Sequence, residues 1–127
     1  MLLSLHAPDQ IGIRACRPDS VLLTSGETLR ESFLLSPETG VHAWQVIDAR
    51  TLGTNDLTAV IAARPDVFLL GTGERQVFPS AAVMAACLSQ RIGIEVMDNA
   101  AAARTFNVLG SEGRKVLLGM LLPVPTA

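Results

Sequence analysis

The amino-acid sequence predicts an α/β protein that folds as a single domain over residues 1–127. In the first half, short apolar stretches separated by turn residues indicate consecutive antiparallel strands. From Thr54 onward, the apolar period changes to about 3.6 residues and helix-like segments alternate with strand-like ones. With 49% hydrophobic and 17% charged residues, the chain is typical of a folded globular protein large enough for one core.

The first half contains four predicted strands, which are residues 11–16, 20–24, 27–35 and 42–47. Turn-forming residues separate them, among them Pro18-Asp19, Ser25-Gly26 and the run from Ser36 to Gly40. The only tryptophan, Trp44, lies in the middle of the last predicted strand. We expect this large ring in the core, whereas an exposed tryptophan would mark a surface for a partner.

The second half predicts three helices and at least two strands. The first helix begins with Thr54 as its N-cap and stops at Arg64, because a proline follows. The later elements are a buried strand at residues 67–70, a helix capped by Ser80 and followed by Gly93, a strand at 94–97, and a helix from Ala100 to about Leu109 with Gly110 as its stop. Residues 114–122 form either a closing strand, which we favour, or a short helix.

The strand, helix and strand between residues 67 and 97 predict a right-handed parallel crossover. In that arrangement both strands end at the same edge of the sheet, which brings Gly71-Thr72-Gly73 beside Asp98 and Asn99. Open α/β sheets usually bind ligands at this edge. A dinucleotide fingerprint would need a glycine where the chain has Gln76, so a tight structural turn is the competing interpretation.

Polar residues extend this edge into a candidate crevice or interaction surface. Arg104 and Asn107 lie one helical step apart beside small alanines, which suits a shallow pocket for an anion or a peptide terminus. The alternative is that the alanines permit close packing while Arg104 pairs with Asp98 or Glu95 or faces solvent. The candidate surface consists of Gly71, Thr72, Gly73, Arg75, Asp98, Asn99, Arg104 and Asn107.

The sequence predicts no catalytic, cofactor-binding or metal-binding set. His6 and His42 are far apart, and neither Cys16 nor Cys87 has a closely spaced partner. We expect both cysteines to be small buried or half-buried residues. The chain also lacks the G-x-S-x-G pattern that positions a nucleophilic serine at the end of a strand.

Charge and hydropathy limit the classes of partner. A net charge of −2, a single lysine and no tyrosine argue against nucleic-acid binding. The apolar stretches at residues 1–5 and 116–122 are too short to span a membrane, and the first lacks the features of a signal peptide. We therefore expect a cytoplasmic protein, and the apolar run from Val116 to Leu122 is a candidate contact for a homodimer.

Segments of the second half resemble a small Mth-type domain family of unknown function, which includes the mitochondrial complex I assembly factor three and an adipogenesis-associated protein. The resemblance is specific over residues 66–123 and rests on the segments 65–73, 93–98, 102–109 and 112–116. It implies a three-layer fold with a mixed central sheet, no established catalytic activity, and roles in assembly or as an adaptor. Gly71, Gly73, Arg104 and Asn107 match the family pattern, whereas Asn99 and Phe106 stand where relatives often carry Thr and Tyr.

Two functional hypotheses follow. The first is a non-enzymatic interaction or assembly-factor-like protein with an unknown protein partner. The second is a small-molecule binding protein or enzyme that uses the crevice between Gly71–Gly73 and Asp98–Arg104.

Overall fold

The computed structural model describes residues 10–125, which form two β-sheets, three α-helices and two short 3₁₀ segments. The strands are β1 (Ile13–Arg17), β2 (Ser20–Leu23), β3 (Thr28–Leu29), β4 (Phe33–Ser36), β5 (Gly40–Ala43), β6 (Val67–Gly71), β7 (Gly93–Met97) and β8 (Val116–Met120). The helices are α1 (Thr58–Ala63), α2 (Ala81–Ser89) and α3 (Asn99–Ser111), and the 3₁₀ segments are Ala49–Thr51 and Thr54–Leu57.

The larger sheet is mixed and has the strand order β5-β4-β8-β6-β7. β6 runs parallel to both β7 and β8, whereas β4 runs antiparallel to β5 and β8. The run Val116–Met120 is buried throughout because β8 is the central strand of this sheet. The strand interpretation of this segment is confirmed, but its use as a dimer contact is wrong because its side chains are buried in the cores on the two faces of the sheet.

Helices and a second sheet cover the two faces of the larger sheet. Along β6, Phe68 and Leu70 face a core that also contains residues of α1 and α2. Val67 and Leu69 face the opposite core, which α3 shares with the three-stranded sheet β1-β2-β3. This arrangement confirms the three-layer α/β fold with a mixed central sheet, antiparallel N-terminal strands and a parallel crossover.

Trp44 is buried, as expected, but it follows β5 and does not lie within a strand. Its indole Nε1 donates a hydrogen bond to the backbone oxygen of Asp56 at 3.1 Å. Its ring packs edge-on against Phe68 with the ring centroids 6.1 Å apart. The predicted strand at 42–47 is therefore wrong beyond Ala43, where the chain leaves the sheet edge and crosses to α1.

The boundaries of other elements also differ from those that the sequence predicts. The predicted strand at 27–35 is divided, because β3 pairs with β2 in the smaller sheet and β4 belongs to the larger one. Thr54 is the first residue of a 3₁₀ segment, with Gly53 in the cap position. Gly110 lies inside α3, where a Cβ would contact Pro37, and Gly113 makes the turn after the helix with a φ of +74°. Arg91, not Gly93, adopts the left-handed conformation after α2.

Residues 1–9 and 126–127 lie outside the described part of the chain. The extent of the domain over residues 1–127, the role of His6 and the absence of a signal peptide therefore stay predictions. Between residues 10 and 125, no helix has the length and apolar character needed to cross a membrane.

Candidate functional site

The turn Gly71-Thr72-Gly73 lies where the crossover geometry predicts it. β6 and β7 pair in parallel with Gly71 opposite Met97, so both strands end at the same edge. The backbone N–H of Asn99 donates to the carbonyl oxygen of Gly73 at 2.8 Å, and that of Thr72 donates to Met97 at 3.0 Å. The turn and the start of α3 are therefore held in direct contact.

The side chain of Asn99 joins three segments at this edge. Its Oδ1 accepts a hydrogen bond from the backbone N–H of Gly73, and its Nδ2 donates to the backbone oxygen of Leu121, both at 2.9 Å. The backbone N–H of Leu121 in turn donates to the carbonyl of Gly71 at 2.9 Å. Because Asn99 is only 5% exposed, its amide serves the fold by linking the turn, α3 and the end of β8.

Gly71 and Gly73 each require glycine, but for different structural reasons. A Cβ on Gly71 would lie 2.6 Å from Oδ1 of Asn99 and 3.2 Å from the Cβ of Ala102, so glycine permits the close approach of α3. Gly73 has open space around it but adopts a φ of +104°, which side-chain-bearing residues rarely accept. These contacts support the structural-turn interpretation.

The residues after the turn fold back against β7. The hydroxyl of Thr72 accepts a hydrogen bond from the backbone N–H of Val77 at 2.9 Å and donates to the backbone oxygen of Arg75. Gln76, which breaks the nucleotide pattern, donates from Nε2 to the carbonyl of Val96 at 2.9 Å. Arg75 itself is exposed. The side chains of Thr72 and Gln76 thus hold this loop over the outer edge of β7.

On α3, the two predicted polar residues have separate roles. Asn107 binds β1, because its Oδ1 accepts from the N–H of Ile13 at 2.9 Å and its Nδ2 donates to the oxygen of Ile13 at 2.8 Å. Arg104 is exposed. Of the alternatives for Arg104, the structure shows the solvent-facing one, because the one ion pair among residues 10–125 joins Arg50 and Asp48.

A hollow of about 220 Å³ lies beside the turn. It is lined by Cys16, Arg17, Pro18, Gly73, Glu74, Asp98, Asn99 and Ala100. Of the eight predicted surface residues, only Gly73, Asp98 and Asn99 line it. The turn between β1 and β2 supplies a wall that the sequence did not indicate. Placing that turn here depends on contacts between distant segments, for which no local pattern exists.

The thiol of Cys16, which lines this hollow, has a raised pKa. Burial raises the pKa of its thiol, and the negative charge of Asp98 raises it further. Asp98 also caps α3, where Oδ1 accepts a hydrogen bond from the N–H of Ala101 at 2.8 Å. Among residues 10–125, no three His, Cys, Asp or Glu side chains are grouped closely enough to hold a metal ion.

Larger concavities lie away from the predicted crevice, and two of them are described here. The first, which we call the hairpin groove, has a volume of about 560 Å³ and lies between α1 and the hairpin formed by β4 and β5. The second, the tail groove, has a volume of about 290 Å³ and is lined by Glu31, Ser32, Ala43, Trp44, Gln45, Ile47 and residues 122–125. Neither groove has a sequence motif that could have identified it.

Comparison with known proteins identifies the family. A family model with the description "Protein of unknown function (DUF498/DUF598)" matches residues 13–121. The chain belongs to this family. A solution NMR structure from Bordetella pertussis, described as a Mth938-like domain, has a TM-score of 0.79 at 24% identity and covers 95% of this chain and 91% of that chain. Together these matches confirm the Mth-type domain predicted from the sequence.

Two further relatives of this chain have names that say little about activity. An NMR structure from Xanthomonas campestris is 47% identical, covers 88% of this chain and 84% of that chain, and has a TM-score of 0.81. A protein of Francisella tularensis subsp. holarctica, named "13 kDa major membrane protein", is 24% identical over 95 residues, which are 75% of this chain and 77% of that protein. The function of this chain must therefore be argued from its surface.

Proposed function

We propose that the chain is an interaction domain, similar in role to an assembly factor, which binds an apolar segment of a partner protein in the tail groove. The observation that carries this proposal is that Ile47 and Val124, which are 55% and 60% exposed, line the same groove. Large apolar side chains gathered around one concavity are typical of protein-binding surfaces.

The groove is preformed on both sides. Ser32 accepts a hydrogen bond from the backbone N–H of Leu122 at 2.9 Å, which ties the chain after β8 to the start of β4. The buried ring of Trp44 is fixed on the other side by its bond to Asp56. A rigid groove favours binding because little conformational entropy is lost when a partner enters.

The lining residues also indicate the chemistry of the partner. Most of them are apolar, whereas Glu31 is exposed and is the one charged side chain of the lining. The segment that fits best has an apolar side chain for the groove and a neighbouring Lys or Arg for Glu31.

Ile47→Glu tests this surface, with Val108→Glu as a matched control because Val108 is 54% exposed and does not line the groove. The tagged proteins are used to capture partners from native cells, and any recovered partner is purified and its affinity measured directly. We expect Ile47→Glu to weaken binding at least about tenfold, as for an interface anchor, and Val108→Glu to bind like the wild type. Equal binding by both variants contradicts the proposal.

A second candidate function, a small-molecule binding protein or enzyme, is supported by the hollow beside Gly73 and Asp98. Its mouth combines the carboxylates of Glu74 and Asp98 with Arg17, so a small polar ligand with an amino group fits its charges. Native mass spectrometry of the purified protein tests for a bound molecule. At a hundredfold excess over Kd, such a ligand stabilises the fold by about 2.7 kcal/mol. Loss of that stabilisation in Glu74→Gln supports this function, and an unchanged stabilisation contradicts it.

The cytoplasmic location is also part of the proposal. It rests on the shortness of the apolar stretches in the sequence, and the membrane-protein name of the Francisella relative makes it worth testing. Cell fractionation with a salt wash distinguishes the alternatives. Recovery in the cytosolic fraction agrees with the proposal, and recovery in washed membranes contradicts it.

A further inference from the structure

The hairpin groove is separate from the two sites discussed so far, since it shares no lining residue with the tail groove or with the hollow beside Gly73. Its volume of about 560 Å³ lies within the range of about 300–1,000 Å³ that is usual for small-molecule sites. Such sites are mostly apolar and contain a few polar groups that orient the ligand. The lining of the hairpin groove is divided in the same way.

The floor and one wall of the hairpin groove are apolar. Leu34 of β4 and Leu117 of β8 are buried and form the floor. α1 supplies the wall with Ala59, Ala62 and Ala63, whose spacing of three and four residues puts them on one face of the helix. All three alanines are exposed. The groove is therefore open because the side chains on this face of α1 are short.

Two opposite charges lie at the same groove. Glu38 and Lys115 line it, both are exposed, and neither forms an ion pair among residues 10–125. The backbone of each is held in place, because the N–H of Glu38 donates to Oγ of Ser36 at 3.2 Å and the carbonyl of Lys115 accepts from the N–H of Asp66 at 2.8 Å. Oγ of Ser36 also accepts from the N–H of Thr39 at 3.3 Å. Neither bond uses the hydroxyl proton of Ser36, which can be donated to a ligand.

A ligand with a single charge would meet a like charge here, because the lining has one carboxylate and one ammonium group besides the imidazole of His42. A ligand with both charges can oppose each group with its counterpart. We propose that the hairpin groove binds a free dipeptide of apolar residues. Its carboxylate binds Lys115 and the hydroxyl of Ser36, and its amino group binds Glu38. Its side chains pack against the apolar floor and the alanines of α1.

Calorimetric titration of the full chain with leucyl-leucine tests this site, with an expected Kd of about 1 mM or lower. The N-acetylated and C-amidated derivatives each lack one charge and should bind about two- to fivefold more weakly, as for exposed ion pairs. Lys115→Met should weaken leucyl-leucine to a similar extent but leave the C-amidated derivative unaffected. Glu38→Gln should do the same for leucyl-leucine and leave the N-acetylated derivative unaffected. Arg114→Met and Glu112→Gln are the matched controls, because both residues are exposed and do not line the groove.

A second substitution tests the place of binding without changing a charge. Ala62→Phe fills the groove from the exposed face of α1, so it should raise the Kd at least about tenfold while the urea midpoint stays close to that of the wild type. Ala85→Phe is its control, since Ala85 is exposed on α2 and does not line the groove.

Three results would overturn the proposal. The first is no binding of leucyl-leucine by the wild type at millimolar concentration, as expected if the groove served only a segment within a larger protein. The second is binding that Ala62→Phe leaves unchanged. The third is octanoate binding as tightly as the dipeptide, because the amino group would then have no role.

Discussion

The region around Gly71-Thr72-Gly73 and the opposite edge strand β5 belong to the same five-stranded sheet but treat their polar groups in opposite ways. At the turn, Asn99, Thr72 and Gln76 direct their side chains at backbone groups and satisfy them. At β5, the N–H of Trp44 donates to the oxygen of Ser32 in the ladder to β4, so the backbone groups of Val41 and Ala43 point away from β4. Among residues 10–125, no strand pairs with that edge.

This difference teaches where binding surfaces can be sought in such a fold. At Gly71-Thr72-Gly73, the glycines and polar side chains that resemble a ligand site mostly make contacts within the fold. They join the end of β6 to the start of α3 and to the chain after β8. The unremarkable segments at β5 and after Trp44 leave hydrogen-bonding and apolar groups available. Proposals about partners therefore concern the β5 side of the molecule more than the turn.

Among substitutions around the turn Gly71-Thr72-Gly73, Asn99→Ala should lower the free energy of unfolding most. It removes the partners of the part-buried N–H of Gly73 and of the buried C=O of Leu121. Because an unsatisfied buried group costs about 1–3 kcal/mol, the free energy of unfolding should fall by about 3 kcal/mol. Asn107→Ala should cost less, because both of its bonds to Ile13 are part-buried and water can replace them more readily than the bond to Leu121. Urea denaturation measures both variants. Equal losses would show that Asn99 has no special role in closing this region.

A smaller effect distinguishes the two glycines of the turn. Gly71→Ala should cost about 2 kcal/mol through overpacking against Asn99. Gly73→Ala should cost about 1 kcal/mol, because its Cβ has space but its backbone is left-handed. In an Asn99→Ala background, the cost of Gly71→Ala should fall because the atom 2.6 Å away is gone. The same cost in both backgrounds argues against this contact as the cause.

The smallest effect concerns the thiol of Cys16 beside the turn. Its pKa is raised by burial and then by the charge of Asp98, so at pH 8 less of it is thiolate than in an ordinary cysteine. Asp98→Asn keeps a capping oxygen for α3 but removes the charge, and should therefore lower the pKa and speed alkylation by iodoacetamide. The pH dependence of that rate measures the change. The rate at Cys87 is the control, since burial alone raises the pKa of that thiol; an unchanged Cys16 profile contradicts the role given to Asp98.

The sequence predicts the second half of the fold better than the first. Continuous apolar residues in β6, Pro65 before it and Ser80 after it are local signals, and they place the crossover and the turn beside Asp98 correctly. Residues 27–35 have no local signal for their division between two sheets. The chain leaves the sheet after Ala43, where Trp44 packs on Phe68. This contact joins separate segments, so it has no local signal either.

The candidate site shows the same limit. The contact of the turn with Asn99 follows from parallel strands ending together, so the sequence predicts it. The pairing of Asn107 with Ile13, which is 94 positions away, and the wall formed by Arg17 and Pro18 depend on how the smaller sheet docks against α3. Such contacts between distant segments have no counterpart in periodicity or capping residues.

Amide hydrogen exchange followed by NMR tests the contrast between the closed turn and the open edge most directly. In dilute protein, the amide of Gly73, bonded to Asn99, and that of His42, which faces β4, should exchange slowly. The amides of Val41 and Ala43, which point away from β4, should exchange rapidly under those conditions. Rapid exchange at Gly73, or strong protection of Val41 and Ala43, would contradict the account.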